Sequence, residues 1–178
     1  AIINQTPLGK CSFGPYARAM VHICKEESFH LKQGFEIVTT LAKGTSVQKK
    51  MVQESVNRWW WPVLMMFGPS DKESPNSEEL MRWQVKLHSN DSLRQRFVNG
   101  SVAQAKAVEL TLPDPELRYN EETGNWDFGS IDWDEFWQVI KGHGPCNRER
   151  MGMFRRKHKE GRWVREAAHT YASRHPVN

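Results

Sequence analysis

Cysteines, long apolar runs and net charge are all scarce in this chain, and each shortage closes off a class of function. Its three cysteines, Cys11, Cys24 and Cys146, are widely spaced and contain no Cys-x-x-Cys pair. Reduced thiols in the cytosol are the simplest reading of that pattern. No stretch approaches the roughly 18 consecutive apolar residues of a membrane span, and the first residues lack the basic-then-apolar order of a signal peptide. A soluble, cytoplasmic protein is therefore expected. A net charge of +4 and a pI near 9.0 are too mild to argue for nucleic acid, because Asp and Glu are mixed in almost everywhere. Nucleophile elbow, P-loop, dinucleotide fingerprint, internal repeat and low-complexity tract are all missing.

Tryptophan, by contrast, is abundant. Eight indoles in 178 residues must be covered by a core or by a partner. A chain of this length supports one sizeable core plus an appendage. It opens on Ala1-Ile2-Ile3-Asn4-Gln5, without an initiator Met or a polar lead-in, and reads as if cut from a longer helix.

From Pro15 to Gly44, the residues Tyr16, Met20, Ile23, Leu31, Gly34, Val38 and Leu41 recur at three- and four-residue steps. That spacing predicts one long helix with a buried stripe. Thr45 and Gln48 have the form of a capping box for a second helix, in which Pro62 is expected to kink or end the run before Gly68-Pro69. A surface loop over 70–77 follows. Helical patterns resume at Glu78 to Leu87 and at Ser92 to Leu110, with Asn90 or Asp91 as the cap. Beyond Pro113-Asp114-Pro115, a hairpin turning at Gly124 precedes a short helix opened by Asp132. Two cationic helical runs, about Asn147 to Lys159 and Arg162 to Ser173, finish the chain. The expected domains are a bundle over 1–112 and a hairpin-and-helix extension over 113–178.

Glu27 lies near the centre of the long stripe, and His30 shares its edge. A lone buried carboxylate costs several kcal/mol, so it calls for a metal, a cation or a proton. One metal would serve both residues. In a helical bundle, a Glu-x-x-His from each of two helices plus carboxylates from two others makes a di-iron site. Pairing of Glu27 with a buried Arg, or an ordinary core His30, is the competing reading. A second Glu-x-x-His, Glu166 to His169, falls about 100° from its helix's apolar centre and reads as a solvated pair. Trp59, Trp60 and Trp61 point three ways round a helix and suit core and subunit contact better than base stacking. The cations from Arg148 to Arg165 are interrupted by Glu149 and Glu160 and suit a solvated or docking face.

Several segments then add up to a resemblance. They are Gly14-Pro15-Tyr16-Ala17-Arg18-Ala19-Met20, Lys25-Glu26-Glu27-Ser28-Phe29-His30, Trp60-Trp61-Pro62 with Leu64-Met65-Met66-Phe67-Gly68-Pro69, Leu93-Arg94-Gln95-Arg96-Phe97-Val98, Pro113-Asp114-Pro115, Ile131-Asp132-Trp133 and Trp163-Val164-Arg165-Glu166-Ala167-Ala168. In this order, and from Ala1 essentially to the C-terminus, they closely resemble the catalytic oxygenase subunits of phenylacetyl-CoA epoxidase complexes.

The resemblance implies an all-α, ferritin-like partial bundle carrying a small β-hairpin and a C-terminal helical extension. It further implies a non-haem di-iron monooxygenase that epoxidises the aromatic ring of phenylacetyl-CoA with dioxygen. Electrons would come from NADPH through a separate reductase, and a related ferritin-like subunit would be the structural partner. By the same resemblance, Glu27 and His30 match the second Glu-x-x-His and supply half of the iron site. The other ligands belong to segments that would precede Ala1, so the chain alone is expected to be incomplete and inactive. Asn4, Lys86 and Asn90 resemble positions at the acyl-CoA entrance. Glu166 and His169 have no metal role. The rival expectations are a di-iron oxygenase for another acyl-CoA and a metal-free scaffold subunit.

Overall fold

Pro15 is preorganised for the first turn of a helix and loses no bond there, and the apolar stripe that follows it forms a single element. The computed structural model describes residues 1–143 and 145–175, without the side chains of Pro145 and Cys146. In it the single-turn helix α1 (Ile2–Gln5) and a 3-10 turn over Pro7–Lys10 lead into α2 (Gly14–Ala42). The expected cap then opens α3 (Ser46–Met65): Gln48 N–H donates to Thr45 Oγ1 at 3.3 Å and Thr45 N–H donates to Gln48 Oε1 at 2.8 Å.

Pro62 lies inside α3 without breaking it. Three residues from the C-terminus of α3, it forgoes only the N–H bond to the Arg58 carbonyl, and the final turn is held from outside. Trp60, Leu64 and Met65 are buried there, and the buried Arg94 guanidinium donates to the carbonyls of Leu64 and Gly68. A cation at a helix C-terminus also complements the helix dipole.

The next helix, α4 (Ser77–Arg82), is shorter than expected because the chain turns at Gln84 with φ 54°. In α5 (Asn90–Ala107), Ser89 is the cap, its Oγ accepting from Ser92 N–H at 3.0 Å, and neither Asn90 nor Asp91 plays that role. Those two side chains are engaged elsewhere, Asn90 with the loop before α4 and Asp91 with Arg94 and Ser70. Glu109, at φ 54°, follows the end of α5.

Strands β1 (Arg118–Asn120) and β2 (Asn125–Asp127) pair antiparallel, with Tyr119 opposite Trp126 and Gly124 at φ 66° in the turn. This hairpin is fastened to α5 by amide side chains. Gln95 Nε2 donates to Trp126 O at 2.8 Å, and Asn99 Oδ1 accepts from Trp126 N–H at 3.0 Å. Beneath it, Leu112, Leu117, Trp126, Phe128 and Ile131 pack on the buried Trp60, Leu64, Val98 and Val102. A second cluster of Ala42, Val52, Val108 and Leu110 ties α2 to α3 and to the end of α5.

The chain divides into two units, Ala1–Ile131 and Asp132–Asn178. Composition changes after Leu112, and the hairpin's apolar side is part of the first unit's core. The second unit holds α6 (Trp133–Ile140), opened by Asp132 Oδ1 accepting from Glu135 N–H at 3.0 Å, then α7 (Pro145–Glu160) and α8 (Arg162–Arg174). The fold class is all-α with one small hairpin, as expected, in keeping with a mostly helical ferritin-like fold. No described helix is long and apolar enough to cross a membrane. Cys11 and Cys24 are free thiols, while the thiol of Cys146 lies outside the described residues.

Candidate metal centre and acyl-CoA entrance

Glu27 and His30 come one helical turn apart on α2, with His30 Nδ1 3.3 Å from Glu27 Oε1. Neither is buried as the stripe had suggested: the Glu27 side chain is 25% exposed and that of His30 66%. The cause is the cover, since Val21, Phe29, Leu31, Phe35 and Ile37 on the same helix are exposed as well. Water therefore reaches the carboxylate, which is not sealed inside a core. Among the described residues no group of three or more His, Cys, Asp or Glu could hold a metal. One carboxylate and one imidazole fit part of a non-haem iron site, whose donors are of these two kinds, and further ligands have to complete it.

His30 also lines an open groove of about 410 Å³ between α2, α3 and α5. Leu31, Phe35, Trp59, Trp60 and Phe97 give it an apolar wall suited to a flat hydrophobic group. Trp60 has a buried indole Nε1 without a hydrogen-bond acceptor among the described residues.

Lys86 and Asn90 meet at a third place, around a residue to which the sequence pattern gives no prominence. Asp71 Oδ1 accepts from the Lys86 ammonium and from Ser77 Oγ, and Asp71 Oδ2 accepts from Asn90 N–H at 2.6 Å. Lys86 Nζ donates a second bond to Ser77 Oγ at 2.8 Å. Burial alone would raise the Asp71 pKa, but the hydrogen bonds from Lys86 and Ser77, the Lys86 charge and the Asn90 N–H outweigh it and hold it below the usual 3.8. The Asn90 side chain is oriented by chemistry: a carbonyl cannot donate, so the atom 2.8 Å from Pro69 O is Nδ2, which also donates to Ser74 Oγ at 3.2 Å. Both amide hydrogens are thereby used. Oδ1 remains as an acceptor, so Asn90 suits an N–H of a ligand and not its phosphate.

Asn4 lines a smaller hollow of about 220 Å³ with Leu31, Val63, Phe67 and Phe97, and no hydrogen bond among the described residues joins it to Lys86 or Asn90. Glu166 and His169 are exposed, and Glu166 pairs with Arg162 at 2.6 Å, which agrees with a solvated pair.

The family model for phenylacetic acid catabolic proteins matches residues 1–163. The chain belongs to that family. A curated relative from Escherichia coli (strain K12), one of the subunits of 1,2-phenylacetyl-CoA epoxidase, is 53% identical over 174 residues. That match takes in 98% of this chain and 56% of the relative, so the chain spans just over half the length of the protein it resembles. Within the family's match lie all five candidate residues, Asn4, Glu27, His30, Lys86 and Asn90.

Proposed function

We propose that this chain is part of the oxygenase subunit of a cytoplasmic, multicomponent di-iron monooxygenase that epoxidises the aromatic ring of phenylacetyl-CoA with dioxygen. The observation that carries the reading is the Glu27–His30 pair beside an apolar groove, in a chain 53% identical to a protein whose name states that substrate. Glu27 and His30 would hold iron, together with ligands from the part of the subunit that this chain does not span. Bound iron would supply the dioxygen-activating chemistry, with electrons delivered from NADPH by a separate reductase.

The chain's own residues would hold and orient the substrate. The groove walled by Phe35, Trp59 and Phe97 takes an aromatic ring out of water and holds it on the side of α2 that carries His30. Lys86 contributes a positive charge for a phosphate of the CoA arm, and Asn90 Oδ1 accepts from one of its N–H groups. The exposed apolar residues of α2 are the surface that the remainder of the subunit would cover.

The alternative reading is a metal-free scaffold subunit, which the single Glu27–His30 pair also allows. Turnover separates the two. Together with its partner and reductase, the full-length subunit should convert phenylacetyl-CoA to a product one oxygen atom heavier in the presence of NADPH and dioxygen. A preparation loaded with iron and supplied with electrons that leaves the substrate unchanged refutes the proposal.

A further inference from the structure

We propose that Asp71 is a positioning residue for the CoA arm of the substrate, acting through Lys86. The inference rests on the acyl-CoA reading above, and nothing in the family match or the relative's name assigns a role to this residue.

The Lys86 side chain is 19% exposed and that of Asp71 20%, so the pair is largely withdrawn from water yet open at one side. An isolated lysine on a four-carbon stem samples many rotamers, and fixing it at the moment of binding costs side-chain entropy. Here that freedom is already removed. Asp71 and Ser77 take two of the three ammonium hydrogens, and the third has no acceptor among the described residues. Asp71 also reaches the first N–H of α5 through Oδ2, which fixes the backbone of Asn90 relative to Lys86. One carboxylate thus spans both candidate ligand residues. Its own charge is balanced by Lys86 and by the N-terminal end of α5, so a bound phosphate meets a paired Asp71 and not a bare anion. An aspartate has the reach for this arrangement, since both oxygens are used and each has a different partner.

The test is a double-mutant cycle in the full-length subunit together with its partner and reductase, reading KM and kcat for phenylacetyl-CoA and, separately, the Kd of the substrate by calorimetry without NADPH. Lys86→Ala should raise KM and Kd about tenfold with kcat within twofold. Asp71→Ala should raise them by about three- to tenfold, and Asp71→Asn, which keeps an acceptor for the ammonium, by less. The double variant should be no worse than Lys86→Ala, because a positioning residue has nothing left to position. If Lys86→Ala leaves KM and Kd unchanged, the acyl-CoA reading of this site fails. If Lys86→Ala weakens binding while both Asp71 variants bind normally, or the Asp71 and Lys86 effects multiply in full, the acyl-CoA reading stands and the role of Asp71 is overturned. Tighter binding by either Asp71 variant also overturns it, since the carboxylate would then be a competitor of the phosphate. Should Asp71→Ala fail to fold, the cycle is completed with Asp71→Asn.

Discussion

At the scale of single residues, Asp71 carries a pH dependence whose sign can be stated. Its pKa is lowered in the folded chain, because the donors from Lys86, Ser77 and Asn90 outweigh the cost of burial. Such a carboxylate contributes stability in full above the usual value of 3.8, and the contribution disappears as pH falls through the lowered folded value. Asp71→Asn should therefore cost about 1–3 kcal/mol at pH 7. The deficit should shrink as the wild type is titrated toward pH 3, which urea unfolding at several pH values would show. A deficit that stays constant across that range would mean the charge of Asp71 is not what stabilises the fold. None of this was legible in the chain, because Asp71 gathers partners from a loop, from α4 and its flank and from α5. The Glu27–His30 pair was legible, since a three-residue spacing places both on one helix face. Their exposure was not, because periodicity marks an apolar face without saying what covers it.

The elements were legible where the signal is local. The Thr45–Gln48 cap, the turn at Gly124 and the Asp132 cap all depend on residues within four positions of one another, and all three form as expected. Pro62 shows the limit of local reasoning: the burial of Trp60 and Leu64 and the Arg94 guanidinium keep the last turn of α3 helical despite it. The docking of the hairpin was equally hidden, since it depends on Gln95 and Asn99 of α5 meeting a strand far along the chain. At Gly129 that docking leaves only tight room for a side chain. An added Cβ would lie 3.1 Å from Asp114 Oδ1 and 3.2 Å from Trp61, and Asp114 is buried and bonded to the Gly129 N–H. Gly129→Ala should destabilise by about 1 kcal/mol through overpacking. Thermal unfolding measures it, and a variant as stable as the wild type would show that the hairpin yields to the added methyl.

For the whole molecule, the position of the boundary decides how partner binding should be tested. The second unit exposes Trp137 and Ile140 on α6, Met151 and Phe154 on α7, and Trp163 and Tyr171 on α8, among many Arg and Lys. Apolar side chains rimmed by charge suit docking to the related subunit proposed as partner. A full-length subunit cut after Ile131 should stay folded and elute apart from that partner in size-exclusion chromatography at micromolar concentration. Cutting after Leu112 should instead unfold the first unit, because Trp126, Phe128 and Ile131 would no longer cover its core. Continued co-elution after the cut at Ile131 would transfer the docking role to the first unit, where Trp59 is the exposed indole of α3.

The proposed function depends above all on Glu27 and His30 being metal ligands, and the iron content of the full-length subunit tests that most directly. Anaerobic ferrous loading followed by desalting should leave two irons in the wild type and in the Glu166→Ala/His169→Ala control. Glu27→Ala and His30→Ala should each lose iron and epoxidation. Their melting temperatures before metal loading should stay within a few degrees of the wild type, because both side chains are at least partly exposed. Two tightly held irons in Glu27→Ala and His30→Ala would contradict the assignment.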